Sequence, residues 1–190
     1  KKEIYKNSRG QTIAPQKIEN LFKDFDSIHS VFLIGDGMEY NCILIYPDQT
    51  FTELKSTADT KEIQNHFSTI VNSVNSFLPP HERLVNFALI PRAFSSEHGE
   101  LTKKGTVKRK AIIKNFSSVI EPMYKRSSVS FIKDEIELRI PNWIIREKGI
   151  LSSNVEWNGK KLTIKGKPVL TLLSCEKGFQ VGDFVYILPK

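Results

Sequence analysis

Hydrophobic and polar positions follow two periods along this chain, one near 3.6 and one near two, and the changes between them mark out its elements. Lys2–Lys6 and Gln11–Ile13 flank the polar cluster Asn7-Ser8-Arg9-Gly10, which predicts a short hairpin. Pro15 can open a helix, continued at helical spacing by Ile18, Leu21, Phe22 and Phe25 and ending near Asp26-Ser27. Ile28–Ile34 and Tyr40–Tyr46 are runs of branched and aromatic residues of strand length, separated by the turn signal Gly35-Asp36-Gly37. Asp59 and Glu62 stand at capping-box spacing before Ile63, Phe67, Ile70, Val71, Val74, Phe77 and Leu78, the clearest helical stripe in the sequence. Pro79-Pro80 would stop that helix, and Leu84–Ile90 predicts a third strand. A last stripe of Val107, Ala111, Ile112, Phe116, Val119 and Ile120 predicts a helix with Thr106 as its N-cap.

The pattern changes after Tyr124. Apolar residues alternate in Val129–Ile132, Ile136–Ile140, Val155–Trp157, Leu162–Ile164, Val169–Leu173 and Phe184–Leu188, with turn signals at Asn158-Gly159, Lys165-Gly166 and Lys177-Gly178. One short helix fits between Pro141 and Gly149. The expected fold class is therefore α+β: residues 1–124 form a small sheet with covering helices and an N-terminal β-hairpin, and residues 125–190 form a small β-rich module such as a barrel. Charge changes at the same place. There are 16 Lys/Arg against 14 Asp/Glu up to Tyr124, then 12 against 7.

At 190 residues and 39% hydrophobic content, the chain has the make-up of a soluble globular protein with a real core. No apolar run approaches the roughly 20 residues that span a bilayer. There is no signal-peptide pattern and no initiator Met, so the chain is expected to be a fragment of something longer. Cys42 and Cys175 lie far apart in strand-like settings without metal-ligand spacing, and both read as reduced core residues of a cytoplasmic protein. The four histidines have no HxxxH or Cys partner, so no metal site is expected.

Five of the ten residues from Leu101 to Lys110 are basic. They crowd the start of a predicted helix, where the macrodipole already carries partial positive charge, and a phosphate at this turn would relieve the repulsion. A solvated basic face is the plain alternative. One other reading stays open. A pI near 9.3 and the basic C-terminal part suit a nucleic-acid or anionic surface. Against that, the net charge of +7 is modest and the basic turn contains no aromatic for a base to stack on.

With these stretches in place, the first 124 residues resemble the small C-terminal domain of the adenylate-forming superfamily, long-chain fatty acid-CoA ligases above all. The opening KKEIYKNSRGQTIAPQKIE is similar to that family's hinge motif and following loop, GRxKDxIKxxGxxIxPxxIE. GELTKKGTVKRKAI is similar to its last motif, PKTxSGKIxR, and to the long-chain variant GELTPTLKxRRK. VFLIGDGMEYNCILIYPD fits the strand pair between them.

The resemblance implies a mobile lid for a large N-terminal domain that binds ATP, Mg²⁺ and the acid, whose phosphate loop is not in this sequence. It also implies fatty acid and CoA as substrates of the whole enzyme, no cofactor held tightly by this part alone, and no activity of this part in isolation. The lid would rotate at Lys2, presenting a lysine for adenylation and then Ser8, Arg9 and Gly10 to the CoA thiol. Aligning Gly105 and Arg109 with the motif puts Thr106 where the catalytic lysine belongs, and Lys103 or Lys104 would have to substitute for it. A degenerate member with a binding or regulatory role is the alternative. The segment after Tyr124 is unusual for the family. Dimerisation, docking on the missing domain and binding of an acyl carrier protein, whose acidic surface would suit the segment's net charge of +5, stay open as its role, and a membrane-peripheral place in the cytoplasm fits as well.

Overall fold

The computed structural model describes residues 3–54, 60–133, 136–175 and 178–187. β1 (Tyr5–Lys6) and β2 (Thr12–Ile13) form the expected hairpin, with Tyr5 opposite Ile13. α1 (Pro15–Asn20) begins at Pro15, whose missing N–H costs nothing in a first turn. β3 (Ile28–Ile34) pairs antiparallel with β4 (Asn41–Pro47), and β4 pairs in parallel with β5 (Leu84–Leu89). A parallel pair needs a long crossover. It is supplied by α2 (Gln49–Leu54) and α3 (Thr60–Ser76). α2 was not foreseen, and Asp59 of the expected capping box lies outside the described residues.

β4 is the centre of the molecule and is buried on both faces. Leu33, Ile43 and Ile45 pack with Ile18 of α1 and Phe67 and Val71 of α3. Phe32, Cys42 and Leu44 on the opposite face pack with Ile112, Phe116 and Ile120. Those three come from α4 (Arg109–Asn115), its C-cap Phe116, and α5 (Ser117–Tyr124), so the single helix expected from Val107 is two helices meeting at Phe116. Thr106 is not the N-cap. Lys108 is, without a side-chain cap, because the Lys108 N–H bonds back to the Glu100 carbonyl at 2.7 Å and holds the preceding residues extended. Val107 is 37% exposed rather than buried.

The second core continues past Tyr124 into Ile145, Ile150, Val155 and Leu162. β6 (Ser128–Lys133) and β7 (Ile136–Pro141) form a hairpin, followed by α6 (Asn142–Lys148), whose C-terminal Gly149 has φ +63°. β8 (Val155–Trp157), β9 (Lys161–Ile164), β10 (Lys167–Cys175), β11 (Gly178–Val181) and β12 (Phe184–Ile187) make an antiparallel meander in the order β12-β11-β10-β9-β8. It is an open sheet, not a barrel, among the described residues. Cys42 is buried as expected, but Cys175, at the end of β10, is exposed.

One glycine is fixed by packing. A Cβ on Gly35 would lie 2.1 Å from Asn41 Oδ1 and 2.6 Å from the Tyr5 hydroxyl. Those two groups share a buried 2.8 Å hydrogen bond, and Asn41 Nδ2 donates to the Glu82 carbonyl at 3.0 Å. Gly35→Ala is therefore expected to cost about 2 kcal/mol, read as a lowered urea midpoint.

Candidate functional site

Two solvent-facing loops carry the sequence motifs, and each stands on a buried polar side chain. The first is the β1–β2 turn. Asn7 is 5% exposed, and its Oδ1 accepts from the backbone N–H groups of Arg9 (3.1 Å) and Gln11 (2.9 Å). That Asx arrangement closes the turn from within. Gly10 completes it at φ +76°, a conformation that side chains disfavour. Ser8, Arg9 and Gly10 are exposed on top. The turn leans on the β3–β4 connection: Ser8 N donates to Met38 O at 2.9 Å and Gly37 N to Lys6 O at 2.8 Å. Arg9 Nη2 lies 3.7 Å from the Glu39 carboxylate. Lys2, the expected hinge residue, lies outside the described residues.

The second loop runs from Glu100 to Lys108. Leu101 bridges Val107, Thr102 N donates to Thr106 O at 2.8 Å, and Gly105 N donates to Thr102 O at 2.9 Å. The result is a narrow two-armed turn with Lys103 and Lys104 exposed at its tip and Thr106 exposed on the returning arm. Gly105 supplies φ +77° where the chain reverses.

The base of this loop is Glu100, whose side chain is fully buried. Its carboxylate accepts two bonds from Arg92, at 2.6 and 2.8 Å, with further bonds from Ser95 N and Asn115 Nδ2. The Arg92 hydrogen bonds lower the Glu100 carboxyl to about 2, against the opposing effect of burial and with help from Asn115 and Ser95. Arg92 also lies 4.7 Å over the Phe116 ring.

Arg109 ties the basic turn to the opening motif. Its Nη1 donates to Glu19 at 3.0 Å, its Nη2 to the Leu33 carbonyl, and its guanidinium lies 4.2 Å over Phe32. Glu3 approaches to 3.9 Å. The crowding of cations at the start of α4 is thus met from inside the fold, because Glu19 in the α1 stretch faces Arg109. Lys103, Lys104, Lys108 and Lys110 remain exposed. Among the described residues, no hydrogen bond or ion pair joins the Asn7–Gly10 turn to the Thr102–Thr106 turn.

Four anchors of these loops carried no role in the sequence reading: Glu19, Arg92, Glu100 and Asn115. An acid heading a basic turn was the available signal for Glu100. Its partner Arg92, in a loop eight residues earlier, reads in sequence as an ordinary surface cation.

Comparison with known proteins matches residues 3–128 to the AMP-binding enzyme C-terminal domain. Human long-chain-fatty-acid–CoA ligase 1 is 28% identical over 144 residues, covering 68% of this chain and 20% of that protein. A long-chain-fatty-acid–CoA ligase of Mycobacterium tuberculosis is 25% identical over 139 residues, covering 66% of this chain and 23% of that protein. The chain thus spans about a fifth of the length of these curated relatives. Among solved structures, the adenylation domain of the carboxylate reductase from Mycobacterium chelonae superimposes with a TM-score of 0.58 at 17% identity, over 65% of this chain and 19% of that one. That likeness is one of fold.

Proposed function

The chain belongs to the AMP-binding enzyme C-terminal domain family, and from that premise we propose that it is the mobile lid of an ATP-dependent ligase joining a long-chain fatty acid to CoA. In this reading residues 1–124 form the lid and residues 125–190 are an addition to it. The observation that carries the proposal is that the fold presents two separate exposed loops, the β1–β2 turn and the Thr102–Thr106 turn, each braced by a buried polar side chain, as two successive reactions would need. The lid turns at Lys2. One orientation brings the Lys103–Thr106 turn to the carboxylate and α-phosphate, and the other brings Ser8, Arg9 and Gly10 to the incoming thiol.

Each residue has a role in this scheme. Exposed lysines at the turn tip offer positive charge where negative charge develops. Gly10 lets backbone approach the thiol-bearing arm closely, and Arg9 brings a cation beside that path. ATP and CoA are proposed as ligands of the whole enzyme. Mg²⁺ is proposed to bind with ATP on the larger domain. An acyl carrier protein, with an acidic surface, is a proposed partner of the basic segment after Tyr124.

The test separates the two half-reactions in the complete polypeptide. ATP-dependent formation of acyl-CoA from long-chain acids is expected, together with fatty-acid-dependent ATP–pyrophosphate exchange, and neither from the 190-residue chain alone. A complete protein that forms no acyl-CoA from any acid would overturn the ligase reading. One observation favours a second reading, a member that has lost adenylation: Thr106 stands at the lysine position and brings no charge.

A further inference from the structure

Residues 142 and 146 lie beyond the family match, which ends at residue 128, yet they reach the connection on which the Ser8–Gly10 turn leans. Arg146 is 3% exposed. Its Nη1 donates to the carbonyl oxygen of Glu39 at 3.0 Å, and its Nη2 reaches the neighbouring Glu147 at 3.2 Å. Its Nε is buried without an acceptor among the described residues. One turn earlier, Asn142 Nδ2 donates to the Tyr40 hydroxyl at 3.1 Å and to the Arg126 carbonyl at 2.8 Å. The Tyr40 hydroxyl in turn donates to the Met123 carbonyl at 3.0 Å. Residues 39 and 40 are thus gripped by α6 from one side. On the other side, Met38 O and Gly37 N bond the Ser8 and Lys6 backbone, and the Glu39 carboxylate faces Arg9.

Arginine is an expensive choice for this position. A guanidinium taken out of water needs its donors satisfied, and an apolar side chain of similar length would fill the space at lower cost. Here one nitrogen stays unpaired, so packing does not explain the residue. What arginine supplies and methionine would not is the donor to Glu39 O. That bond fixes the peptide next to the one that receives the Ser8 N–H.

We infer that Arg146 is a positioning residue for the Ser8-Arg9-Gly10 loop, so that α6, outside the shared family domain, holds the lid's thiol-facing loop in place. The positioning itself stands on the contacts; the word thiol-facing rests on the ligase reading.

Amide hydrogen exchange of the 190-residue chain tests the positioning. In Arg146→Met the Ser8 and Gly37 amides are expected to exchange about tenfold faster, the size of one lost bond to a charged donor. Amides of the central strand β4 should exchange at unchanged or slower rates, because a buried charge has gone. A merely structural role would accelerate both sets alike. If the methionine variant does not fold, Arg146→Gln, too short to reach Glu39 O, is read in the same way. In the complete enzyme, Arg146→Met should raise the KM for CoA about five- to tenfold and leave ATP–pyrophosphate exchange unchanged. Unchanged exchange at Ser8 and Gly37, or equal acceleration in β4, overturns the positioning role. An inactive wild-type enzyme instead removes the ligase reading and leaves the amide result standing.

Discussion

Thr106→Lys is expected to raise fatty-acid-dependent ATP–pyrophosphate exchange of the complete protein by about 10²–10³-fold, the usual scale for one group that stabilises developing charge. A threonine hydroxyl offers a neutral bond, whereas an ammonium brings a full charge. The substitution is structurally clean. The backbone at this position is already fixed, with Thr106 N bonded to Thr102 Oγ1 at 3.0 Å and Thr106 O to Thr102 N at 2.8 Å. The side chain is exposed, so stability should shift by no more than about 0.5 kcal/mol. Lys103 and Lys104 sit at the tip of the same turn and are the proposed source of charge in the natural sequence. Replacing both with alanine is expected to lower the remaining exchange at least about tenfold, on the same electrostatic grounds. A gain below threefold for Thr106→Lys, with a large loss on removing the tip lysines, would place the adenylating charge at the tip.

The elements that could be read from sequence are those set by local pattern and turn chemistry. β3 and β4 follow from branched residues around Gly35-Asp36-Gly37, and α3 from a single apolar stripe on a long segment. α2 was missed because its residues are mostly polar, although Asp48 Oδ1 accepting from Thr50 N at 2.9 Å is an Asx-type start that the sequence did contain. The helix from Val107 was extended too far because its periodicity is genuine, while the choice of where it starts is tertiary: Lys108 N bonds to Glu100 O. β11, only Gly178–Val181, is too short to alternate and exists because β10 and β12 flank it. The candidate loops were legible for the same reason as the hairpins, since glycine and polar residues must sit there. Their anchors were not. Arg146 looks like a solvated helix cation until Glu39, 107 residues away in sequence, is brought to it by the fold.

Glu100→Gln should be the most damaging single change to the basic turn, lowering stability by about 3 kcal/mol and the melting temperature by roughly 6–12 °C. A glutamine keeps one acceptor but turns an NH₂ toward Arg92, leaving a guanidinium partly buried without its counter-charge. Ser95 N and Asn115 Nδ2 also compete for what acceptor remains. The effect must depend on pH. The folded Glu100 carboxyl is held at about 2, below its ordinary 4.5, so the unfolded chain takes up the proton first as pH falls. The stabilisation is therefore fully present above about 4.5 and is lost progressively toward 2. Urea unfolding of wild type and variant should show a wide gap at about pH 7 that narrows by about pH 3. A gap of constant size across that range would mean that charge pairing with Arg92 is not what Glu100 contributes. Because the Lys108 N–H hangs from the Glu100 carbonyl, the variant should also loosen the turn that carries Lys103, Lys104 and Thr106. Its loss of ATP–pyrophosphate exchange should then exceed its loss of folded protein.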